Sequence, residues 1–512
     1  MTSLGWIQFV SQSGVLKFLI SVLIGLLVIK LFKRIYEIFN LPPGPYGLPI
    51  MGYLPFMSEN FARDFMEIGK KHGSPFSISL GRDDYIIIND WHHANEVFQR
   101  DELLARPPEG FGGGLFGEKG LGDMSGQDWK EQRRTALHIL RDIGFGKSAM
   151  EDKIFEEIQI FVKELDKKKG KPFDISDLLS ASTSNNISVF LYGRRYEYDD
   201  EEKVKQAYLR NKLREGVIFI GLGTIMPFLV KALSFLGNRK YKSFLDTIKK
   251  SLALDASQIR RHQNSNYDHV PDYIDGFFEK MEERKTRGLP LGTFRLPVLQ
   301  ANIYALFGAG SLTVFSTMSW MILLMVKHPH YQSRIREEIS RVIGSRRPSY
   351  EDRLLMPFTF AFIYETLRYR TNIPVNFIRY ATKDLYLDKT FVPKGTSVVV
   401  NFYAIDHDAK LWTEPDKFMP ERLLSPDQSK VTIPPHLTPF AAGKRKCIGE
   451  SMAMFELFQY LTSLIQSYNL KASEGPDKVS DDIRNGFISM PLHMPRIVLE
   501  SVDHRLQAMT TR

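Results

Sequence analysis

The chain has 512 residues, 43% of them hydrophobic and 25% charged, with a formal net charge of +9. This is an ordinary globular composition, and the length allows one large domain or two to three smaller ones. A single cysteine excludes an intramolecular disulfide framework, and no nucleic-acid module accompanies the positive charge, which instead suits a membrane surface or an acidic protein partner.

Near the amino terminus an apolar run extends from Phe18 to Ile29 and continues through Leu31 and Phe32. Lys17 lies before it, and Lys30, Lys33 and Arg34 lie at its end. The uncharged core is shorter than the roughly 20 residues of a standard span, but snorkelling of Lys17 and Lys30 lengthens it. A cleaved signal peptide is the rival reading; the start is not basic, and no A-x-A-like site follows. The basic cluster places the bulk of the chain in the cytosol by the positive-inside rule. The expected division is therefore an anchor at 1–40, a proline-rich hinge at 41–50 and a single catalytic domain at 51–512. The hinge, Leu41-Pro-Pro-Gly-Pro-Tyr-Gly-Leu-Pro49, is stiff and extended because proline fixes φ and blocks helix.

Phe76–Leu80 and Tyr85–Ile88 flank Gly-Arg-Asp-Asp and predict a β-hairpin. The glycine-rich stretch from Phe111 to Gly122 predicts a flexible loop; it lacks the Gly-Lys-Ser/Thr ending of a phosphate cradle. Trp129 and Arg133, four apart, share a helix face and suit a carboxylate held in a cleft. Lys130, Arg134 and Arg141 either face an acidic partner or form a solvated helix surface. Val217 to Val230 is uncharged but broken by Gly221, Gly223 and Pro227, which predicts either a buried helix or an apolar cap.

Leu296 to Lys327 is long, apolar and nearly uncharged, so this helix is expected to be buried all round, with Pro329 stopping it. Glu365 and Arg368 share a helix face at i, i+3. Thr396 to Ala404 alternates enough to predict a strand. The sole cysteine sits in Phe440-Ala-Ala-Gly-Lys-Arg-Lys-Cys447-Ile-Gly449. Gly443 and Gly449 allow a tight turn and close approach to a flat ligand. Lys444, Arg445, Lys446 and a following helix N-terminus are expected to favour the thiolate, a soft metal ligand.

This decapeptide matches F-x-x-G-x-R-x-C-x-G at every fixed position and resembles the haem-binding signature of the cytochrome P-450 superfamily. The other motifs of that family follow in its order: hinge, W-x-x-x-R, A-G-x-x-T, E-x-x-R, the Pro-Glu-Arg422 segment and the cysteine loop. Trp129-Lys-Glu-Gln-Arg-Arg and Leu191-Tyr-Gly-Arg-Arg-Tyr-Glu-Tyr-Asp-Asp look most like animal microsomal enzymes of steroid and xenobiotic metabolism.

The resemblance implies a mainly α fold with smaller β-sheets, a long central helix over the haem and the cysteine loop beneath. It implies Cys447 as axial ligand to the iron of haem b, iron protoporphyrin IX, and Arg106, Trp129, Arg133, Arg379 and Arg445 as further haem contacts. Thr313 would hydrogen-bond dioxygen, the co-substrate, above small residues such as Ala309. Leu312 departs from the family's acid at that position, which touches proton delivery. Glu365, Arg368 and Arg422 would form a buried structural triad. The substrate pocket would take Phe111, Leu115, Phe116, Leu121, Phe307, Ala309, Leu312, Ile373, Val375, Phe487 and Ile488.

The implied activity is insertion of one atom of dioxygen into a small lipophilic substrate, by hydroxylation or epoxidation. Electrons would come from NADPH through a diflavin reductase docking near Lys444 and Lys446, with cytochrome b5 as a second candidate donor. The implied location is the endoplasmic reticulum membrane, in contact with lipid and without nucleic acid. Two other functions stay open: reductase-independent isomerisation or dehydration of an oxygenated lipid, which Leu312 keeps in view, and a non-enzymatic haem sensor.

Overall fold

The computed structural model describes residues 41–48, 50–81, 83–110, 117–264, 271–484 and 486–502, together with 21, 22 and 25. The expected anchor at 1–40 thus lies almost wholly outside the described residues, as do Phe111, Leu115 and Phe116.

Among the described residues the fold is mainly helical, with four small sheets. The largest sheet runs in the order β1 (Phe76–Leu80), β2 (Asp83–Ile88), β6 (Ser397–Val400), β3 (Arg379–Tyr380). The predicted hairpin forms, with Phe76 opposite Ile87 and Leu80 opposite Asp83. β2 then pairs in parallel with β6, and β3 closes the sheet against β6 with Arg379 opposite Val398. A two-residue strand is thereby enough to fix Arg379 at the edge of a packed sheet. The predicted strand at 396–404 is too long. It ends at Val400, because Asn401 accepts a hydrogen bond from the Ala404 amide and caps the short helix Phe402–Asp406.

The core is organised around the helix Leu296–Lys327, which packs on Ser176–Tyr192 along one side and on Glu450–Ser467 along another. Every residue from Val314 to Val326 is at most 4% exposed. This is the one described helix long and apolar enough to cross a membrane, yet most of it is buried inside the protein, so it is a core element. Proline does mark its end, but as the first residue of the next helix, Pro329–Val342, where a missing N–H removes no intrahelical bond. Gly310 lies against Ser176–Tyr192 so closely that a Cβ there would sit 2.9 Å from Ile187 Cγ1.

The run from 217 to 230 is two helices, Val217–Ile225 and Pro227–Phe235, split at Met226. Proline at the start of the second cannot continue the hydrogen-bond ladder of the first. Met226 is buried, whereas Phe235 is 91% and Leu236 75% exposed.

Glu365 and Arg368 lie on the helix Pro357–Tyr369, both side chains fully buried. Two parallel 2.8 Å bonds join them, from Arg368 Nε and Nη2 to the two carboxylate oxygens. Arg422 Nε adds a 3.0 Å bond to Glu365 Oε1, and the Met419 amide a 2.9 Å bond to the same atom. The remaining guanidinium protons go to carbonyls, Arg368 to Asp406, Pro415 and Lys417, and Arg422 to Thr413, Glu414 and Lys417. The network therefore nails the 406–422 segment to the helix. Removing its only carboxylate strands two buried cations, so Glu365→Ala is expected to cost about 3–5 kcal/mol. A urea unfolding curve of the full chain with an unmoved midpoint would contradict this.

Candidate active site

The cysteine loop turns at Gly443–Arg445, where Gly443 has φ +71° and a Cβ would lie 2.0 Å from the Phe98 carbonyl oxygen. Only glycine fits that turn without displacing backbone. The Cys447 amide donates to Phe440 O at 3.0 Å, closing the loop. Gly449 caps the helix Glu450–Ser467, and its N–H donates to Cys447 Sγ at 3.3 Å.

Cys447 is exposed, but onto a recess: the surrounding protein is dense enough that burial still pushes its thiol up. The Gly449 N–H and the Arg133 charge pull the other way, and the Glu450 carboxylate adds to the rise. The expectation that Lys444, Arg445 and Lys446 favour the thiolate is corrected here. Lys444 pairs with Asp101 at 2.6 Å and Lys446 with Glu450 at 2.5 Å. Arg445 turns inward to the carbonyls of Leu104 and Met124. The cation acting on the sulfur comes from another element, the helix Gly126–Asp142, which carries Arg133.

That helix also supplies Trp129, 3% exposed, with the Arg445 guanidinium 3.8 Å and the Arg133 guanidinium 5.9 Å from its ring centroid. Arg133 donates to the Lys446 carbonyl at 2.5 Å. Arg106 donates to the carbonyls of Gly122, Phe377 and Ile378 at 2.7–3.0 Å. Arg379 is 3% exposed, and its Nε is buried without a partner. Arg106 and Arg133 act on Arg379 and Arg445 across this space, and Arg379 acts on Arg445. Desolvation and then mutual repulsion push Arg379 down to about 9 and Arg445 down to about 8, with Asp123 the carboxylate opposing the fall at Arg445. Desolvation holds Arg106 down at about 10. Guanidinium groups do not deprotonate in proteins, so the same energetics demands an anion instead.

The uncovered stretch of the central helix is the other wall. Ala309 is exposed, and Gly308, Gly310, Leu312 and Thr313 are half-buried, within a helix otherwise covered toward its carboxyl end. Thr313 Oγ1 donates to Ala309 O at 2.7 Å. Ile373 and Val375 are half-buried, and Val375 bridges to Asn401 at the end of β6. Phe487 and Ile488 are half-buried in the late loop, with Phe487 packed on Phe377 at 5.1 Å. Leu121 is buried, its amide held by Asn302 Oδ1 at 2.7 Å. Phe307 is buried and packs on Tyr192 at 5.6 Å, which sets its ring against the helix Ser176–Tyr192. Phe377 was missed in the sequence; an aromatic residue two positions after Val375 was the available signal. Asn372, just before Ile373, contacts the central helix, which no local sequence pattern signals.

A planar dianion with an iron-centred face fits these residues: one exposed sulfur, one indole, four guanidinium groups and an unpartnered buried donor. The model of the cytochrome P450 family matches residues 42–495. The chain belongs to the cytochrome P450 family. It is 33% identical over 466 residues to cytochrome P450 2C11 of Rattus norvegicus, covering 89% of this chain and 91% of the relative. It is 31% identical over 497 residues to cytochrome P450 2E1 of Oryctolagus cuniculus, covering 93% and 97%. It is 32% identical over 445 residues to cytochrome P450 2F2 of Mus musculus, covering 86% and 90%. The protein is thus a cytochrome P450 monooxygenase, a haem enzyme that uses dioxygen.

Arg379→Leu, which removes one cation from the clamp, is expected to lower the haem retained after gel filtration several-fold while the apoprotein stays folded. Equal retention would contradict the proposed anion demand.

Proposed function

We propose that this cytochrome P450 inserts one oxygen atom into a small lipophilic molecule, using electrons that reach it from NADPH through a diflavin reductase. The observation that carries the reading is the set of buried Arg379 and Arg445 with half-buried Arg106 and Arg133 around Trp129, with too few carboxylates to match it, beside the exposed Cys447. In this reading Cys447 ligates the haem iron and the guanidinium groups with Trp129 hold the two haem carboxylates. Haem, when bound, supplies the activation of dioxygen. Burial favours the neutral thiol, so haem iron, when bound, would supply the charge that holds the sulfur as thiolate.

Thr313 handles a proton at its Oγ1. Its own proton goes to Ala309 O, so the oxygen offers lone pairs to the recess. Ala309, Leu312, Ile373, Val375, Phe487, Ile488 and Leu121 orient an apolar substrate and exclude water, with Phe111, Leu115 and Phe116 assigned to the same pocket from sequence. Phe307 supports it from behind. Glu365, Arg368 and Arg422 hold the scaffold.

The reductase is assigned to a basic groove of about 940 Å³ between the helices Gly126–Asp142 and Tyr273–Thr286. Lys130, Arg134, Arg141, Arg284, Arg287 and Lys444 line it, against two glutamates. Such a surface steers an acidic partner and loses effect with salt. Cytochrome b5 is a second candidate for the same groove. Lys444 belongs to this groove, but like Arg284 and Arg287 it has a carboxylate partner, so the groove's excess charge rests mainly on Lys130, Arg134 and Arg141.

The endoplasmic reticulum membrane is the assigned location, with 1–40 as anchor, 41–50 as hinge and 51–512 as the cytosolic domain. The exposed Ile50, Met51, Phe235 and Leu236 support a lipid contact beyond the anchor. The segments that carry them meet at Gly81, whose amide donates to Met51 O at 3.1 Å and whose Cβ position lies 2.7 Å from Met226 Cγ.

Purified protein with reductase, NADPH and a screened lipophilic substrate is expected to consume NADPH with product formation. Conversion of an oxygenated lipid without NADPH would favour isomerisation instead, which the apolar Leu312 keeps as the second reading. Cys447→Ala is expected to abolish the red-shifted Soret band of the reduced, carbon monoxide-treated pigment; an intact band would refute sulfur ligation. Added salt is expected to slow the reductase-supported rate, as stopped-flow reduction at two ionic strengths would show.

A further inference from the structure

Asn372 opens the segment assigned to the substrate side of the recess, seven positions after Glu365 of the helix Pro357–Tyr369. Its amide Nδ2 donates two hydrogen bonds of 2.8 Å, to the Thr313 carbonyl oxygen and to Thr317 Oγ1. Thr317 Oγ1 in turn donates to the same Thr313 carbonyl at 3.0 Å. A carbonyl that a regular helix offers to one amide is therefore gripped by two further side-chain donors. The amide orientation is forced: turned over, Asn372 Oδ1 would face a carbonyl that has no proton to give.

The Asn372 backbone is held as well, although its side-chain Oδ1 is buried without a partner. Its backbone oxygen accepts from the Ser489 amide at 2.8 Å, and the Ser489 carbonyl accepts from Ser316 Oγ and, at 3.0 Å, from Trp320 Nε1. Two segments thus converge on this part of the central helix: the segment after the triad helix, and the late loop with Phe487 and Ile488. Thr313 and Leu312 are half-buried there, within a helix whose next residues are fully covered. Leu312 offers no proton, so the placement of the Thr313 hydroxyl carries more of the work.

We propose that Asn372 is a positioning residue for oxygen reduction: its amide fixes the Thr313 backbone, and through it the Thr313 hydroxyl, at the place where the neighbouring Leu312 supplies no acid. The catalytic part of this rests on the monooxygenase reading. Each productive turnover takes one dioxygen, two electrons from NADPH and two protons, places one oxygen atom in the substrate and releases the other as water. When the second proton is misplaced, the same two electrons and two protons leave on dioxygen as hydrogen peroxide. A loosened Thr313 shifts the outcome toward peroxide.

Three substitutions test the tether in the full-length holoprotein: Asn372→Leu, which removes the amide, Asn372→Asp, which keeps the shape but not the donor, and Thr317→Val, which removes the middle bond. Hydrogen exchange of central-helix peptides around Thr313 and Thr317, measured in the resting protein, is expected to speed up several-fold in both Asn372 variants while peptides near Trp320 stay protected. Peroxide released per NADPH is expected to rise toward that of Thr313→Ala. The double variant Thr313→Ala with Asn372→Leu is expected to be no worse than Thr313→Ala alone, because the two residues act as one unit. Unchanged exchange in both Asn372 variants, or peroxide yields that simply add in the double variant, would overturn the proposal. If the unmodified protein consumed no NADPH with reductase, the monooxygenase reading would fall, and the exchange measurement would still decide the tether.

Discussion

Four guanidinium groups share one interior space with too few carboxylates, and the fold around them reads as half of an ionic contact. Ordinary buried cations come with their anions; the triad of Glu365, Arg368 and Arg422 shows the chain can build such a set when it needs one. Around Trp129 the one carboxylate acting on Arg106 and Arg445 is Asp123, against four guanidinium groups. Arg106, Arg133 and Arg445 satisfy part of their donors with carbonyls, which carry no net charge and so leave the repulsion in place. The segments bearing these cations come from a loop, a helix, a two-residue strand and the cysteine turn. Their mutual repulsion would spread them unless a dianion drew them together. In the proposed reading, cofactor binding would add to the stability of this region.

The central helix serves both core and chemistry because its two ends are built differently. Toward the carboxyl end, a continuous apolar sheath from Val314 to Val326 fixes its place. Toward the middle, small residues keep neighbouring side chains off Ala309, and Gly310 lets Ser176–Tyr192 approach. Side-chain oxygens in this stretch bond back to the helix, Ser311 to Phe307 and Thr313 to Ala309, which loosens the regular ladder where a gap is needed.

What the sequence disclosed was mostly local. The bounds of Leu296–Lys327, the hairpin at 76–88 and the Glu365–Arg368 pair all follow from periodicity or spacing within one element. The cysteine loop was legible because glycine, arginine and cysteine occur at fixed spacing. Contacts made across hundreds of residues were not. Nothing in the sequence ties Lys444 to Asp101, 343 positions away, or Arg106 to the carbonyls of Phe377 and Ile378. The Lys446–Glu450 pair, by contrast, is an i, i+4 neighbour and was there to be read. The strand predicted to Ala404 ran too far because alternation alone does not register a capping asparagine.

Arg379 and Ile373 stand six residues apart on a chain segment fixed at both ends, by β3 in the sheet and by Asn372 at the central helix. Between the two anchorages there is little slack to absorb a displacement. In the proposed reading, a molecule pressing on Ile373 would strain the same short span that carries Arg379. Occupancy of the substrate side would then be felt as tension on the cofactor side, and the colour of the pigment would gauge what has been admitted.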